Sequence, residues 1–311
     1  MRLLASDVAT AVGGSLAGPD IHIDGAAIDS RRVSGGELFV PVVAERDGHD
    51  FVGFALEAGA AAYLTSRPAL PDTTAVVVGD TAAALAALGR WARDRLPDRV
   101  VAITGSSGKT STKDLLGAVL RTLGPCAVSE RSHNNELGVP LTLVNAPDGT
   151  VAAAVEMGAR GEGHIRWLCD VARPTVGVVT NVSLSHTEFL GSVDGVAAAK
   201  AELVMALPAS GVAVLNAGDA RVAAMARLTP APVLTFGVET GDVRAADVRV
   251  DGELRPSFVL ETPWGKAEVH LAARGAHQAA NAAAAAAAAL SVDVDLADVV
   301  SALAEAPSSP W

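Results

Sequence analysis

The sequence predicts an α/β protein: a small N-terminal α/β domain, then a central P-loop domain whose mostly parallel sheet is flanked by helices. Three observations predict it. From residue 100 onward, short apolar runs alternate with helical stretches, as in a parallel sheet covered by helices. The run Val100-Val101-Ala102-Ile103-Thr104 is apolar along its length, as expected of a strand buried on both faces. A glycine-rich loop ending in Gly-Lys-Thr follows that run directly and precedes a helical stretch, the context in which such loops hold phosphate.

The elements follow in order. Residues 1–80 carry short β-like runs (Ile21-His22-Ile23, Leu38-Phe39-Val40, Val76-Val77-Val78) separated by turn dipeptides such as Asp24-Gly25, Gly35-Gly36 and Asp47-Gly48. A helix is predicted over 81–95, ending at Pro97. This divides the chain into an N-terminal domain (1–82), a connecting helix (83–98) and a central domain (99–306). Within the central domain, strands are predicted over 100–104, 151–155, 175–180, 211–215 and 233–236. Helices are predicted over 111–123, 163–171, 193–207, 220–228 and 278–290, and shorter β structure over 243–273. The last residues, Ala306-Pro307-Ser308-Ser309-Pro310-Trp311, read as the start of a linker (307–311), either a frayed natural tail or a chain cut at a domain boundary.

Composition narrows the function. The 311 residues carry a formal net charge of −11, which argues against a broad nucleic-acid groove, since that needs a basic footprint. An anionic small molecule remains compatible, because loop N–H groups bind phosphate locally. The two cysteines, Cys126 and Cys169, have no metal-like spacing, which fits a reducing cytoplasm. There is no signal-peptide h-region at Met1–Asp7 and no run of ~18 strongly apolar residues. A soluble cytoplasmic protein without membrane insertion, and a single-chain state, are expected.

The strongest local signal is Thr104-Gly105-Ser106-Ser107-Gly108-Lys109-Thr110-Ser111. Gly105 and Gly108 allow a tight turn that presents N–H donors, and the following helix adds its dipole. Lys109 is placed to reach β- and γ-phosphates and the Thr110 hydroxyl to ligate Mg²⁺. Where a general P-loop has its first glycine this chain has Ile103, so the loop is a shortened form.

Three further side chains stand out. Glu156 ends an apolar run and His186 follows another; both lie beyond the carboxyl ends of predicted parallel strands, where α/β sheets bind ligands. Read alone, Glu156 is either a Mg²⁺ ligand or a solvent-exposed strand end, and His186 either a site residue or an exposed loop residue. Lys200 shares a helix face with Val196, Leu203, Val204 and Leu207. A cation on an apolar stripe either snorkels or is paired or chemically changed.

Taken together, these pieces resemble the Mur ligases, the ATP-dependent amide-forming enzymes of peptidoglycan synthesis. The resemblance runs along essentially the whole chain. It rests on the loop above, on Asn134-Asn135-Glu136-Leu137-Gly138-Val139-Pro140, on Glu156-Met157-Gly158, on Asn181 through His186, on Lys200 with Glu202, and on Gly275-Ala276-His277-Gln278-Ala279-Ala280-Asn281. The loop's continuation to Lys113 is similar to that of the D-alanyl-D-alanine-adding members; the diamino-acid-adding members usually have Thr-Asn at the positions of Ser106-Ser107. Asp29-Ser30-Arg31-Arg32, Leu38-Phe39-Val40 and Asp47-Gly48-His49 are similar to the N-terminal domain those two branches share, which holds the uridine diphosphate end of the substrate.

The resemblance implies roles. Gly105 to Ser111, Asn281 and His277 would bind ATP, with Asn281 at the adenine. Thr110, Glu156 and His186 would serve two Mg²⁺ ions. Lys109, His186 and a carbamylated Lys200 would be catalytic, and Ser30, Arg31, Asn134 and Asn135 would contact substrate. The implied reaction joins D-alanyl-D-alanine to UDP-N-acetylmuramoyl-tripeptide through an acyl phosphate. The family's third domain would follow the end of this chain. A diamino-acid-adding ligase, a fragment that binds ATP or UDP-substrate without turnover, and an unrelated P-loop ATPase are the competing readings.

Overall fold

The computed structural model describes residues 1–130, 133–183 and 192–307. The chain forms two compact units: Met1–Arg95 with Glu136–Asp148, and Leu96–Asn135 with the chain from Gly149 onward.

The first unit is built on a five-stranded sheet in the order β2 (Ser15–Ala17), β7 (Ala75–Val77), β6 (Ala62–Thr65), β5 (Leu38–Phe39), β4 (Ala26–Ala27). Strands β4 to β7 run parallel, and β2 is antiparallel to β7. A separate antiparallel pair joins β1 (Arg2–Leu4) to β3 (His22–Asp24). Helices α1 (Ala5–Val12), α2 (Val52–Glu57) and α3 (Thr81–Arg93) complete the N-terminal part. Asp80 caps α3 by accepting from the Ala82 and Ala83 N–H groups at 2.8 and 3.0 Å.

Two boundaries differ from the sequence-based division. The helix expected to connect the domains lies inside the first unit, where α3 packs against α1 and against α5 (Gly138–Val144). Residues 136–148, expected in the central domain, also belong to this unit. The reason is physical. All seven residues of α5 are buried, and Asn145 extends the free edge of β4. Its Oδ1 accepts the Ala26 N–H at 2.7 Å and its Nδ2 donates to the Ala26 carbonyl at 2.9 Å. A side-chain amide thus does what a neighbouring strand would do, between residues 119 positions apart, beyond the reach of a local pattern.

The second unit contains a nine-stranded sheet. Its order is β9 (Cys126–Val128), β10 (Ala152–Glu156), β8 (Val100–Thr104), β11 (Val176–Val179), β12 (Val212–Asn216), β13 (Val233–Val238), β14 (Val243–Val250), β15 (Pro256–Thr262), β16 (Gly265–His270). Strands β8 to β14 pair parallel, and β14, β15 and β16 pair antiparallel. The segment expected to be shorter β structure therefore holds the two longest strands among the described residues, eight residues in β14 and seven in β15.

Among the described residues, the helices of this unit are α4 (Lys109–Leu120), α6 (His164–Ala172), α7 (Val193–Met205), α8 (Ala220–Ala224), α9 (Gln278–Leu290) and α10 (Leu296–Glu305). α9 has the predicted bounds. α4 starts two residues earlier than predicted, because Gly108 turns the chain straight into helix; α8 ends at Ala224 and passes into a 3₁₀ turn. Every residue from Ala282 to Ala289 is fully buried. Methyl side chains let α9 lie close to α4 and to strands β12 to β15 at once; a helix apolar all round belongs in the interior. Among the described residues no helix is long and apolar enough to cross a membrane.

The register decides what meets at the sheet's carboxyl edge. Glu156 pairs with Ile103, Val179 with Thr104 and with Leu215. The ends of β8, β10, β11 and β12 thereby open on one crevice.

Candidate active site

The loop from Gly105 to Gly108 joins β8 to α4 on this edge. Gly105 has φ +153°, and a Cβ there would lie 1.8 Å from Thr180 Oγ1; Gly108 has φ +77°, and its Cβ would lie 2.5 Å from Asn281 Oδ1. Only glycine fits either place. No side chain caps α4 at Gly108, so the first-turn N–H groups remain for a ligand, at the positive end of the helix dipole. The Lys109 ammonium folds back over the loop and donates to the carbonyls of Gly105 at 2.9 Å and Ser106 at 3.4 Å. Burial lowers its pKa, and the nearby Glu156 carboxylate pulls it up.

The loop is held from β11's side. The Asn181 carbonyl accepts the Ser106 N–H at 3.0 Å. The Asn181 side chain brackets Ser107: Oδ1 accepts its N–H at 3.0 Å and Nδ2 donates to its carbonyl at 3.1 Å. Thr180 Oγ1 donates to the Ser107 carbonyl at 2.7 Å, and Asn216 Nδ2 holds the Thr180 carbonyl at 2.7 Å. Ser106, itself buried, receives the Ser183 N–H on its hydroxyl at 2.9 Å.

Glu156 is 2% exposed, which removes the solvent-exposed reading. Oε2 accepts from Thr110 Oγ1 at 2.9 Å and Oε1 from Asn134 Nδ2 at 3.0 Å. No cation pairs with it among the described residues. Its hydrogen-bond donors are neutral and the Lys109 ammonium acts on it only through space, which leaves both carboxylate oxygens open to a further cation. Thr110 and Glu156 offer the hard oxygen donors that Mg²⁺ takes alongside phosphate and water. The donor set fits this ion. Asn134 also accepts the Gly158 N–H on its carbonyl at 2.7 Å, and Asn135, next to it, is the last residue of this unit before the chain enters the first. Ser111 sits half-buried in the first turn of α4.

Lys200 is 3% exposed on the apolar face of α7, beside the fully buried Val196, Leu203 and Val204. Snorkelling is thus excluded. It has no hydrogen-bond or ion-pair partner among the described residues. Burial, reinforced by the charge of Lys109, lowers its pKa to about 8. Glu202, two residues on, faces elsewhere: its carboxylate accepts the Gly163 and Arg166 N–H groups at 2.5 and 2.9 Å and caps α6. Asn281, buried in α9, places its amide above Gly108 and donates to Gln278 Oε1 at 2.9 Å. His277 is exposed just before α9. His186 lies outside the described residues, as do Ser308 to Trp311 of the expected linker.

The first unit holds its own cavity of about 780 Å³, with Asp29, Ser30, Arg31, Arg46, Phe51 and Phe54 among its lining. Arg31 pairs bidentately with Asp29 at 2.9 and 2.6 Å and holds that carboxyl down at about 2. His49 directly follows Gly48 of this lining and is itself buried. Its Nε2 accepts the Ser66 N–H at 3.0 Å, so Nδ1 carries the proton and donates to Asp47 at 2.6 Å.

Sequence reasoning singled out neither Thr180, Asn216 and Ser129 nor Phe51 and Phe54 of this cavity's lining. The bracketing role of Asn181 could have been suspected from its place directly after a strand. Ser129 carries no signal of its own.

A phosphate loop at the carboxyl edge of a parallel sheet, with a buried carboxylate bonded to its threonine, defines a P-loop nucleotide-binding protein of the α/β class. The Mur ligase middle domain matches residues 103–289, and the Mur ligase family catalytic domain matches residues 22–94. The chain belongs to the Mur ligase family. It is 41% identical to the UDP-N-acetylmuramoyl-tripeptide--D-alanyl-D-alanine ligase of Mycobacterium tuberculosis, covering 99% of this chain and 66% of that protein. The crystal structure of MurF from Acinetobacter baumannii superimposes with a TM-score of 0.89 at 31% identity, over 99% of this chain and 69% of that one. MurF ligase from Thermotoga maritima, solved in complex with ADP, gives 0.74 at 30% identity, over 89% and 65%. The chain thus spans just under two thirds of the length of its mycobacterial relative.

Proposed function

We propose that this protein is a cytoplasmic ATP-dependent ligase of peptidoglycan precursor synthesis, acting as a monomer. It joins D-alanyl-D-alanine to UDP-N-acetylmuramoyl-tripeptide and releases ADP and phosphate. The observation that carries the reading is the buried Glu156 carboxylate bonded to Thr110 at the end of the phosphate loop.

The first-turn N–H groups of α4 bind the phosphates, and Lys109 exchanges its loop carbonyls for β- and γ-phosphate oxygens. Thr110 and Glu156 would hold one Mg²⁺; His186 and Lys200 would serve a second. When bound, the ions neutralise charge on the transferring phosphoryl group. Lys200 fits that place as a carbamate. Its unprotonated amine adds to CO₂, a C–N bond forms, one proton leaves, and the cation becomes an anion. Asn281 and His277 face the adenine, and Asn134 and Asn135 the substrate. Ser30 and Arg31, with Arg46 and the phenylalanines of the cavity, take the uridine diphosphate end. The tripeptide carboxylate attacks the γ-phosphate and ADP leaves. The amine of D-alanyl-D-alanine then displaces phosphate from the acyl phosphate, loses a proton and leaves an amide.

The test is ADP release that requires both UDP-N-acetylmuramoyl-tripeptide and D-alanyl-D-alanine. Release that requires a single diamino acid instead assigns the neighbouring branch. Release independent of both assigns a general ATPase. Nucleotide binding without ADP formation assigns a binding module.

A further inference from the structure

Lys113 is a buried cation that the reaction above does not use. It is 2% exposed. It stands three residues after Thr110 and four after Lys109, on the same face of α4 but one turn deeper. Its Nζ donates to the Ser129 carbonyl at 2.7 Å and pairs with Asp114 Oδ1 at 2.8 Å. Asp114 answers the buried charge, but the reach of the ammonium to a backbone carbonyl on another element calls for an explanation.

Ser129 supplies one. It is 1% exposed and directly follows β9. Its N–H donates to the Ala154 carbonyl at 2.9 Å, and its hydroxyl accepts the Glu156 N–H at 3.1 Å. The backbone leading into Glu156 is therefore held by Ser129, and Ser129 is held by Lys113. The same helix touches Glu156 twice: Thr110 meets the carboxylate, and Lys113 reaches its backbone through Ser129. This closed circuit fixes the carboxylate's distance from the Thr110 hydroxyl.

We propose that Lys113 is a positioning residue for Glu156, acting through Ser129 to hold the carboxylate where it and Thr110 can share a divalent cation. The inference rests on Glu156 being a Mg²⁺ ligand.

The experiment is titration of the protein with a fluorescent N-methylanthraniloyl ADP, once in excess Mg²⁺ and once in EDTA. Wild type, Lys113→Met, Lys113→Arg and Ser129→Ala are compared. Wild type should bind more tightly in Mg²⁺ than in EDTA. Groups that orient a metal ligand typically contribute about 10–100-fold. Lys113→Met and Ser129→Ala should each weaken binding in Mg²⁺ by roughly tenfold and leave binding in EDTA within twofold; Lys113→Arg should recover part of the loss. Ser129→Ala keeps the carbonyl that Lys113 uses, so it decides the matter if Lys113→Met fails to fold. Equal Mg²⁺ dependence in wild type and Ser129→Ala, whatever happens to thermal stability, overturns the role of Lys113. Wild-type binding that ignores Mg²⁺ overturns the reading of Glu156 itself.

Discussion

The Thr110 hydroxyl donates to Glu156 Oε2 at 2.9 Å, tying the helix after the phosphate loop to the end of strand β10. Asn134 occupies the other carboxylate oxygen. Replacing Glu156 by Gln keeps the shape and removes the charge. Binding of ADP in Mg²⁺ should fall by at least about tenfold, which is about 1.4 kcal/mol, while binding in EDTA should not. Isothermal titration in the two buffers checks this.

Gly105 faces Thr180 so closely that a methyl group would overlap its hydroxyl. Gly105→Ala should cost at least about 2 kcal/mol, from left-handed strain and overpacking together. Denaturant unfolding measures it. Nucleotide binding should be lost with it, since Thr180 also anchors the Ser107 carbonyl.

Lys200 should show pH dependence of known sign. Its pKa in the fold, about 8, lies below the ordinary 10.5. Below pH 8 both folded and unfolded chains hold the proton, and the burial penalty, on the order of 3 kcal/mol, is fully present. Between pH 8 and 10.5 the unfolded chain binds more protons, so stability from this group rises with pH. In CO₂-free buffer, Lys200→Met should therefore stabilise most below pH 8, with the gain shrinking toward pH 10. Uptake of ¹³C from labelled bicarbonate, followed by NMR, should increase from pH 7 to 9 in wild type and be missing in the variant.

Glu202 makes a contrast. Its carboxylate caps α6 through two N–H groups. In Glu202→Gln the amide nitrogen faces one of those donors, so about 1–2 kcal/mol of stability should go. ADP binding in Mg²⁺ should stay within twofold, unlike the Glu156 variant.

The cavity of the first unit should bind uridine diphosphate without any help from the phosphate loop. Arg31→Ala should weaken UDP several-fold in a calorimetric titration and leave ADP binding unchanged. An effect on ADP alone would remove Arg31 from the substrate site.

Much of this was legible in one dimension. The strand–loop–helix around Lys109 is local: apolar run, glycines and helix are contiguous, and backbone conformation follows from neighbours. Lys200 announced itself because helical periodicity put a charge among Val196, Leu203 and Val204. The bounds of α9 followed from an unbroken alanine run of strong helix formers.

The sequence by itself determined the α/β class, the phosphate loop and the identity of the residues worth watching, because these depend on contiguous pattern and on residue chemistry. Only the tertiary structure decided that Glu156 is buried against Thr110 and Asn134, that Asn181 brackets the loop, that Glu202 caps a helix, and that residues 136–148 leave the central domain for the N-terminal one. Each of those rests on parallel register or on a side chain meeting a distant backbone. A parallel sheet brings together strand ends separated by whole helices in the chain, and no local periodicity encodes which ends will meet.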